Sequence, residues 1–453
     1  MQDRKQQCFG YIWRRSMKKR SVAAVLLAVC MVTGICGCSS GKDEDVFTGD
    51  TPEVPEWQAN LDAITPVVYA NIDDLALEPG TYISVIGKTE NSSYWKQVAA
   101  GVQQAAADIN ERLGYSGDDA IRVLFNAPAD NEDIDEQVNI LDEEMARYPD
   151  VIAIASIDEN ASEVQFDLAI SNGIPIVAFD SGNSYQGIQC TCMTDNSRAA
   201  VTGAQKLCEA IGESGEVALI VPDSVSGNAK DRVAAFQQEI TENHPGVSVV
   251  ETIYMDQIDQ LKRGAAAEEL GVSAEDLAAW TAEAAGEEEE EALDAAEADA
   301  ATADDAAQQD GDSQDNISEE ARTRLEDIDS LAESMSDEDA VVYYLQKHPD
   351  LKGCFGTNDE TVLLGAQALE SMEKTEDIVM MGFDAGRDQL DALADGSIDG
   401  LVVQNPFGMG YATVVAAART VLEIGNEAQV DTGFVWVDAD NMEDENIQAM
   451  LYE

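Results

Sequence analysis

A short polar loop that ends in two aromatic residues is the stretch of this 453-residue chain whose residue types best suit binding chemistry. It begins at Lys88, continues through Thr-Glu-Asn-Ser-Ser, and ends at Tyr94 and Trp95. The polar side chains offer hydrogen-bond donors and acceptors, and the two rings offer flat apolar faces. This combination suits a sugar, because its hydroxyl groups need hydrogen bonds and its C–H face can pack on a ring. The alternative is that Tyr94 and Trp95 only pack the helix start onto the core.

Residue patterns typical of enzymes and metal sites do not occur in the chain. It has two histidines, His244 and His348, each followed by a proline, and we interpret both as surface residues at helix ends. The nucleophile motif G-x-S-x-G and the phosphate-binding Walker loop are missing. The acidic run 130–136 lacks the spacing and the glycine of an EF-hand and is interpreted as an acidic first turn of a helix. We therefore expect no enzyme activity, no cofactor and no metal site.

The polar loop lies between a predicted strand and a predicted helix. Tyr82 to Ile86 is a short apolar run with β-branched residues, which is typical of a buried strand. After Tyr94, apolar and small residues recur at helical spacing: Val98, Gly101, Val102, Ala105 and Ile109. In an open parallel sheet, the loops at the carboxyl ends of the strands line the ligand crevice. The loop is therefore predicted to lie at a binding crevice.

Strand and helix patterns alternate from Thr81 onward. The other predicted strands are Ile121 to Asn126, Val151 to Ser156, Pro175 to Asp180, Val217 to Val221, Val247 to Tyr254, Gly353 to Thr357, Ile378 to Asp384 and Leu401 to Asn405. The segments between them are amphipathic, as in Gln137 to Tyr148 and Ala229 to Glu242. This alternation predicts an α/β protein with parallel sheets covered by helices on both faces.

An acidic low-complexity segment interrupts the alternation between residues 264 and 336. It contains 24 acidic residues and two basic ones, Arg322 and Arg324. Because such a composition buries little apolar surface, we expect most of the segment to be disordered. A short helix near its start is predicted from Leu270, Leu277 and Trp280. The pattern resumes at residue 339, so the segment is an insertion within a domain.

The formal net charge of −63 argues against binding to nucleic acids. The N-terminus is basic by contrast, and the sequence Met17-Lys-Lys-Arg precedes an apolar run from Val22 to Val32. This layout is typical of a secretory signal and is too short for a membrane-spanning helix. The stretch Ile-Cys-Gly-Cys-Ser-Ser at 35–40 resembles a bacterial lipoprotein box, with Cys38 as the lipidated residue and Cys36 as the weaker alternative.

These features predict a signal peptide at 1–37 and a tether with a short lead-in at 38–80. The mature protein is expected to be extracytoplasmic and anchored to the bacterial membrane by its lipid. Four cysteines lie in the predicted body: Cys190, Cys192, Cys208 and Cys354. Their spacing is not that of a zinc site. We expect buried free thiols, although export also permits a disulfide.

Seven motifs occur in an order and spacing that resemble one family. They are the SSYW loop with its helix to Gly101, IPIVAFDS at 174–181, TDN at 194–196, NAKDRVAAFQQ at 228–238, GTNDETVLLGAQAL at 356–369, MGFDAG at 381–386, and VVQNPFGMG at 402–410. The chain from Thr81 to about Asp438, outside the insertion, resembles the ribose- and galactose-type sugar-binding proteins of bacterial ABC transporters.

The resemblance implies the type I periplasmic-binding fold. In this fold, two doubly wound parallel-sheet lobes are joined by three crossing strands and close on a ligand. The crossings are expected near Asp195, Gln404 and Gly433. The expected N-terminal lobe comprises 81–194 and 405–432, and the expected C-terminal lobe comprises 195–404 and 433–453.

The resemblance also implies which side chains contact the ligand. These are Ser92, Tyr94, Trp95, Asp180, Ser181, Lys230, Asn358, Asp384 and Gln404. Asp180 and Asp384 end strands of different lobes, and each is expected to accept hydrogen bonds from sugar hydroxyls; the alternative for Asp180 is a helix or turn cap. Asn358 and Gln404 carry amides that can donate and accept.

Four positions differ from the ribose-binding pattern. Ser92 replaces an asparagine, Ser181 and Lys230 each replace an arginine, and Met255 replaces an aromatic residue. An arginine presents a rigid planar fork of donors, whereas a lysine presents a point charge. The implied pocket is more spacious and less basic, so ribose itself is not the expected ligand.

The leading functional hypothesis is a monomeric lipid-anchored receptor that captures a sugar or sugar-like polyol and delivers it to an ABC permease. One alternative is that the same body presents its closed form to a membrane sensory system. The other alternative is an interaction protein whose acidic insertion binds cations or a basic surface, with a vestigial cleft.

Overall fold

This structure is a computed structural model, and it describes Pro55 and residues 57–129, 133–284 and 318–452. The predicted signal peptide, the predicted lipidation site at Cys38 and the glutamate run at 287–291 lie outside these residues. Within the described ranges, no helix is both long and apolar enough to cross a membrane.

The described residues contain twelve β-strands. In chain order they are β1 (Tyr82–Ile86), β2 (Arg122–Asn126), β3 (Val151–Ile154), β4 (Ile176–Phe179), β5 (Ile188–Met193), β6 (Gly215–Val221), β7 (Val247–Tyr254), β8 (Leu351–Gly356), β9 (Val379–Phe383), β10 (Gly400–Gln404), β11 (Gln429–Asp431) and β12 (Phe434–Val437). Nine of them coincide with predicted strands. The remaining three, β5, β11 and β12, lie next to crossings between the lobes and have mixed burial, so their sequences carry a weak strand pattern.

Helices separate most of the strands. They are α1 (Gln58–Asp62), α2 (Ser93–Leu113), α3 (Ile134–Met145), α4 (Glu163–Ser171), α5 (Asn196–Ala210), α6 (Gly227–Asn243), α7 (Ile258–Glu269), α8 (Glu319–Ser334), α9 (Asp337–Leu345), α10 (Asp359–Ser371), α11 (Arg387–Asp395), α12 (Pro406–Val421) and α13 (Glu445–Gln448). Residues 274–284 are also helical. Short 3₁₀ helices occur at Val67–Ala70, Gly117–Asp119 and Met255–Gln257.

The strands form two six-stranded sheets, which confirms the predicted two-lobe α/β fold. The first sheet has the order β11-β5-β4-β3-β1-β2, and all its strands are parallel. The second has the order β12-β10-β9-β8-β6-β7 and is parallel except for the antiparallel pair of β10 and β12. Every residue of β1, β3 and β4 is buried, as expected for a parallel sheet covered on both faces.

The chain passes between the two sheets three times. The crossings follow β5 at 194–195, β10 at 404–405 and β11 at 432–433, which agrees with the three expected positions. Asn405 lies at the second crossing and is fully buried. Its Nδ2 donates to the carbonyl of Thr432 at 2.8 Å, so it links the second crossing to the third.

Close packing of two helices fixes the position of the aromatic residues at the start of α2. A Cβ atom at Gly101 would lie 1.9 Å from the carbonyl oxygen of Phe407, and one at Gly410 would lie 2.0 Å from that of Val98. Both glycines are therefore required for α2 and α12 to approach each other at this distance. The same two glycines belong to motifs that carried the family resemblance.

The predicted lead-in packs into the hydrophobic core. Leu61, Ile64 and Tyr69 are almost completely inaccessible to solvent. Thr65 forms two backbone hydrogen bonds with Asp431 at 2.8 and 3.0 Å, beside the third crossing. The segment before the first strand therefore packs against the region that connects the lobes.

The 264–336 segment, expected to be mostly disordered, is largely helical at its two described ends, 264–284 and 318–336. The helix at 274–284 agrees with the short helix predicted near the start of the segment. In α8, Ala321, Leu325, Ile328 and Ala332 are buried. Ile328 and Ala332 pack against Ala266, Ala267 and Val272. The average composition concealed this helix because its few apolar residues all lie on one face, at spacings of three and four.

All four cysteines of the predicted body are buried free thiols, as predicted from their spacing.

Candidate functional site

A cavity of about 60 Å³ lies between the lobes, beside the carboxyl ends of their strands. One water needs about 10–15 Å³ of such space, so the cavity is several times larger than a single-water site. Seven predicted site residues line it: Ser92, Tyr94, Trp95, Asp180, Asn358, Asp384 and Gln404. The other polar lining residues, which the prediction did not include, are Lys88, Asp223, Asn228, Arg232, Thr357 and Asp359.

The start of α2 positions the aromatic wall of the cavity. Ser92 is the N-cap of this helix, and its Oγ accepts a hydrogen bond from the backbone N–H of Trp95 at 3.2 Å. Tyr94 and Trp95 consequently lie in the first turn, where they contact each other edge to face with ring centroids 5.4 Å apart. Both residues line the cavity and also pack into the core.

A pair of strained aspartates marks the strand ends in the two lobes. Asp180 follows β4 with φ of 54°, and Asp384 follows β9 with φ of 75°. Non-glycine residues in this left-handed region cost of order 1–3 kcal/mol each and concentrate at functional sites. Both side chains are nearly completely buried and reach the same cavity. The equivalent placement gives each lobe one carboxylate at the site.

Hydrogen bonds hold one oxygen of each carboxylate. The Tyr94 hydroxyl donates to Asp180 Oδ1 at 2.7 Å. Asp384 Oδ1 accepts from Gln404 Nε2 at 2.8 Å and from the hydroxyl of Tyr452 at 3.0 Å. Burial raises the pKa of Asp384, while the Arg232 charge and these two donors oppose the increase. Each carboxylate has a second oxygen, which can accept a hydrogen bond from a ligand.

Gln404 has a positioning role that the sequence did not reveal. Its Nε2 donates to Asp384, and its Oε1 accepts from the hydroxyl of Thr194 at 2.9 Å. Both ends of the amide are therefore engaged by protein groups. Asn358 is similar, because its Oδ1 caps α10 by accepting from the N–H of Thr361 at 3.0 Å. Its amide nitrogen is the group that can donate to a ligand.

Arg232 is a lining residue that the sequence prediction missed. Its side chain is buried above the ring of Phe383, with the guanidinium carbon 4.1 Å from the ring centroid. Nε donates to Asn196 Oδ1 at 2.8 Å and Nη1 donates to the carbonyl of Thr357 at 2.6 Å. Nη2 and the Thr357 hydroxyl have no hydrogen-bond partner among the described residues. A buried donor without a partner is costly, which indicates a place for a ligand acceptor.

A sequence signal for Arg232 did exist. It lies four residues before Phe236, on the apolar face of the amphipathic pattern from 229 to 242. An arginine at such a core position must be paired or face a polar cavity. The expectation of a less basic pocket rests on Ser181 and Lys230, which replace arginines, and does not include Arg232.

Two predicted contacts, Ser181 and Lys230, do not line the cavity. The Ser181 hydroxyl donates to the carbonyl of Ser156 at 2.6 Å. Lys230 Nζ donates to Glu159 Oε2 at 2.8 Å, so it forms an ion pair between the lobes. Lys230 precedes Arg232 by two residues, and two residues turn an α-helix by about 200°. When Arg232 faces the cavity, Lys230 must therefore face elsewhere.

Comparison with known proteins identifies the family. The model of the periplasmic binding protein domain matches residues 83–315 and 333–425, well over half of the chain. The chain belongs to this family. The seven motifs and both strained aspartates lie within the matched residues.

Similar sequences and structures agree with the family assignment. The chain is 37% identical over 73 residues to the ribose import binding protein of Bacillus subtilis, covering 16% of this chain and 23% of the relative. It is 34% identical over 82 residues to the D-apiose import binding protein of Paraburkholderia graminis, covering 18% and 26%. The alignments thus span about a quarter of the length of these relatives.

Solved structures match over a larger part of the chain. A carbohydrate transporter solute-binding protein from Agrobacterium radiobacter, in complex with D-arabinose, has a TM-score of 0.58 at 22% identity, covering 82% of this chain and 98% of that one. A protein from Agrobacterium vitis bound to α-D-tagatopyranose has a TM-score of 0.59 at 21% identity, covering 82% and 99%. At these identities the likeness shows the fold of this periplasmic binding protein domain.

The electrostatics of the site favour a ligand with several hydroxyl groups. The described residues contain no group of three or more His, Cys, Asp or Glu that could hold a metal ion. The two carboxylates accept hydrogen bonds, while Arg232 and the Asn358 amide donate. A hydroxyl group can do both, so a polyol matches this mixture better than a purely anionic or purely apolar ligand.

Proposed function

We propose that the protein is an extracytoplasmic solute-binding protein that captures a sugar or sugar-like polyol between its lobes and delivers it to an ABC permease. The observation that carries the proposal is the pair Asp180 and Asp384. They come from different lobes, end equivalent strands, and line one small cavity. The aromatic faces of Tyr94 and Trp95 on its wall suit the C–H face of a sugar.

The relatives support the sugar class. Their names include ribose and D-apiose import, and solved structures of the same fold hold D-arabinose and α-D-tagatopyranose. Five-carbon sugars and ketohexoses are therefore the first ligands to test. Binding and release are proposed as the whole activity, since no catalytic motif was found in the sequence.

Ligand binding is proposed to stabilise the closed arrangement of the lobes. A ligand that contacts Asp180 and Asp384 together interacts with both lobes, so it favours the state in which both are within reach. The lobes approach closely around the site. A Cβ atom at Gly227 of one lobe would lie 2.6 Å from the Ser181 carbonyl oxygen of the other, and Lys230 pairs with Glu159 across the same gap.

The proposal extends to the N-terminus on sequence grounds alone. Residues 1–37 act as a signal peptide, Cys38 carries the lipid, and the following segment tethers a monomeric body to the membrane. The basic start, the apolar run and the Gly-Cys pair support this assignment.

A thermal-shift screen tests the central proposal. The panel contains D-ribose, D-apiose, D-arabinose and D-tagatose, each added in millimolar excess. A ligand present at about 100 times its dissociation constant stabilises the folded state by about 2.7 kcal/mol. We expect at least one sugar to raise the melting temperature of the wild-type protein and not that of a double variant, Asp180→Asn with Asp384→Asn. No shift with any sugar, or an equal shift in the double variant, contradicts the proposal.

A further inference from the structure

The penultimate residue of the chain lies beside the candidate site. Tyr452 is buried, and its hydroxyl donates to Asp384 Oδ1 at 3.0 Å while it accepts from the N–H of Ala385 at 3.2 Å. Its ring contacts that of Tyr94 edge to face, with centroids 6.0 Å apart. Tyr452 lies beyond the residues matched by the family model, which end at 425. None of the sequence motifs includes it.

The terminal segment is held in place by its own packing and by the lead-in. Ile447 and Met450 are buried near the end of the chain. Asn60 Nδ2 donates to the carbonyl of Ala449 at 2.9 Å, and the carbonyl of Asn60 accepts from Asn405 Nδ2 at 2.7 Å. One lead-in residue therefore connects the terminal segment to the second crossing. This contact limits where Tyr452 can lie, three residues further on.

The contacts of Tyr452 affect the orientation of one carboxylate. Asp384 Oδ1 receives hydrogen bonds from Gln404 and Tyr452, two donors on different segments. Two donors on one oxygen restrict rotation of the carboxylate plane, which leaves Oδ2 as the acceptor for a ligand. Tyr452 does not line the cavity, so it acts through Asp384.

We propose that Tyr452 is a positioning residue of the ligand site, which it completes by orienting Asp384. The inference rests on the proposed function for its effect on binding, but the contact itself can be tested without a ligand. The ionisable groups near Asp384 are Arg232 and Asp180, together with the Tyr94 and Tyr452 hydroxyls, and Asp359 lies near Tyr452.

The first test is Tyr452→Phe in the ligand-free protein, followed by carbon-13 NMR of the aspartate carboxyl groups across a pH titration. The Tyr452 hydroxyl lowers the pKa of Asp384 by donating to its ionised form. Its removal should raise the Asp384 pKa, whereas Tyr148→Phe, at an exposed tyrosine, should not. An unchanged Asp384 titration in Tyr452→Phe overturns the inference, whether or not the wild-type protein binds a sugar.

The second test measures the dissociation constant of D-arabinose by calorimetry between pH 5 and pH 8. Because the ligand needs the ionised carboxylate, affinity should fall as pH drops through the Asp384 pKa. In Tyr452→Phe we expect about tenfold weaker binding at neutral pH, based on the strength of charge-assisted hydrogen bonds. As the pH is lowered, this variant should lose binding at a higher pH than the wild type does. Equal affinity and an identical pH profile contradict the positioning role. Failure of the wild-type protein to bind any sugar of the panel counts against the proposed function, while the titration still decides the role of Tyr452.

Discussion

Replacing Asp384 by asparagine should separate ligand binding from folding. Asparagine has almost the same shape, and its Oδ1 can still accept from Gln404 and Tyr452. The change replaces Asp384 Oδ2 with an amide N–H₂ group that cannot accept a hydrogen bond. One hydrogen bond to a charged group contributes about 1.5–3 kcal/mol. Since about 1.4 kcal/mol changes a dissociation constant tenfold, we expect sugar binding to weaken about 10- to 100-fold.

The same substitution should increase the free energy of unfolding at neutral pH. Burial raises the pKa of Asp384 in the folded state above its unfolded value. Folding therefore favours the protonated acid, and ionisation of this group lowers the free energy of unfolding as the pH rises. Asp384→Asn removes that cost, so the variant should be as stable as the wild type at low pH and more stable at neutral pH.

Calorimetry measures both quantities on the same samples. Differential scanning gives the melting temperature between pH 4 and pH 8, and titration gives the dissociation constant of the sugar found in the screen. Asp142→Asn, at an exposed aspartate of α3, is the matched control and should change neither. Wild-type affinity in Asp384→Asn would refute the assignment of this carboxylate to the ligand. Loss of stability at neutral pH together with weaker binding would instead indicate a structural role for the charge.

Three further predictions concern the gap between the lobes, the insertion and the membrane anchor. Lys230→Ala should weaken sugar binding at most about fivefold at low salt and less at high salt, because its ion pair with Glu159 is partly exposed. The control Lys374→Ala, which breaks an ion pair within one lobe, should leave the dissociation constant measured by calorimetry unchanged. Replacing 285–317 by a short Gly/Ser linker should preserve cooperative melting, since loop length affects closure entropy only logarithmically, and a broadened transition would show that this segment is structural. Cys38→Ala should release the protein from the detergent phase of a bacterial extract, and continued lipid labelling would contradict the assignment of Cys38.

Most of the fold could be predicted because parallel sheets leave a strong local signature. Strands buried on both faces, such as β1, β3 and β4, must be continuous apolar runs, and the helices between them need an apolar face. The strand-end positions of Asp180 and Asp384 follow from that pattern. Strands β5, β11 and β12 were less visible because they are only partly buried, and α8 was hidden by the acidic composition around it.

The sequence by itself determined the alternation of strands and helices, the aromatic start of α2 and the two strand-end carboxylates, and its resemblance to a family implied the two lobes. Only the tertiary structure decided which neighbouring side chains reach the cavity. The direction of Lys230 and Arg232 depends on the rotation of α6, and the contact of Tyr452 with Asp384 joins residues 68 positions apart. Local patterns report which face of an element is buried, whereas the partner of a buried polar group depends on how distant segments pack.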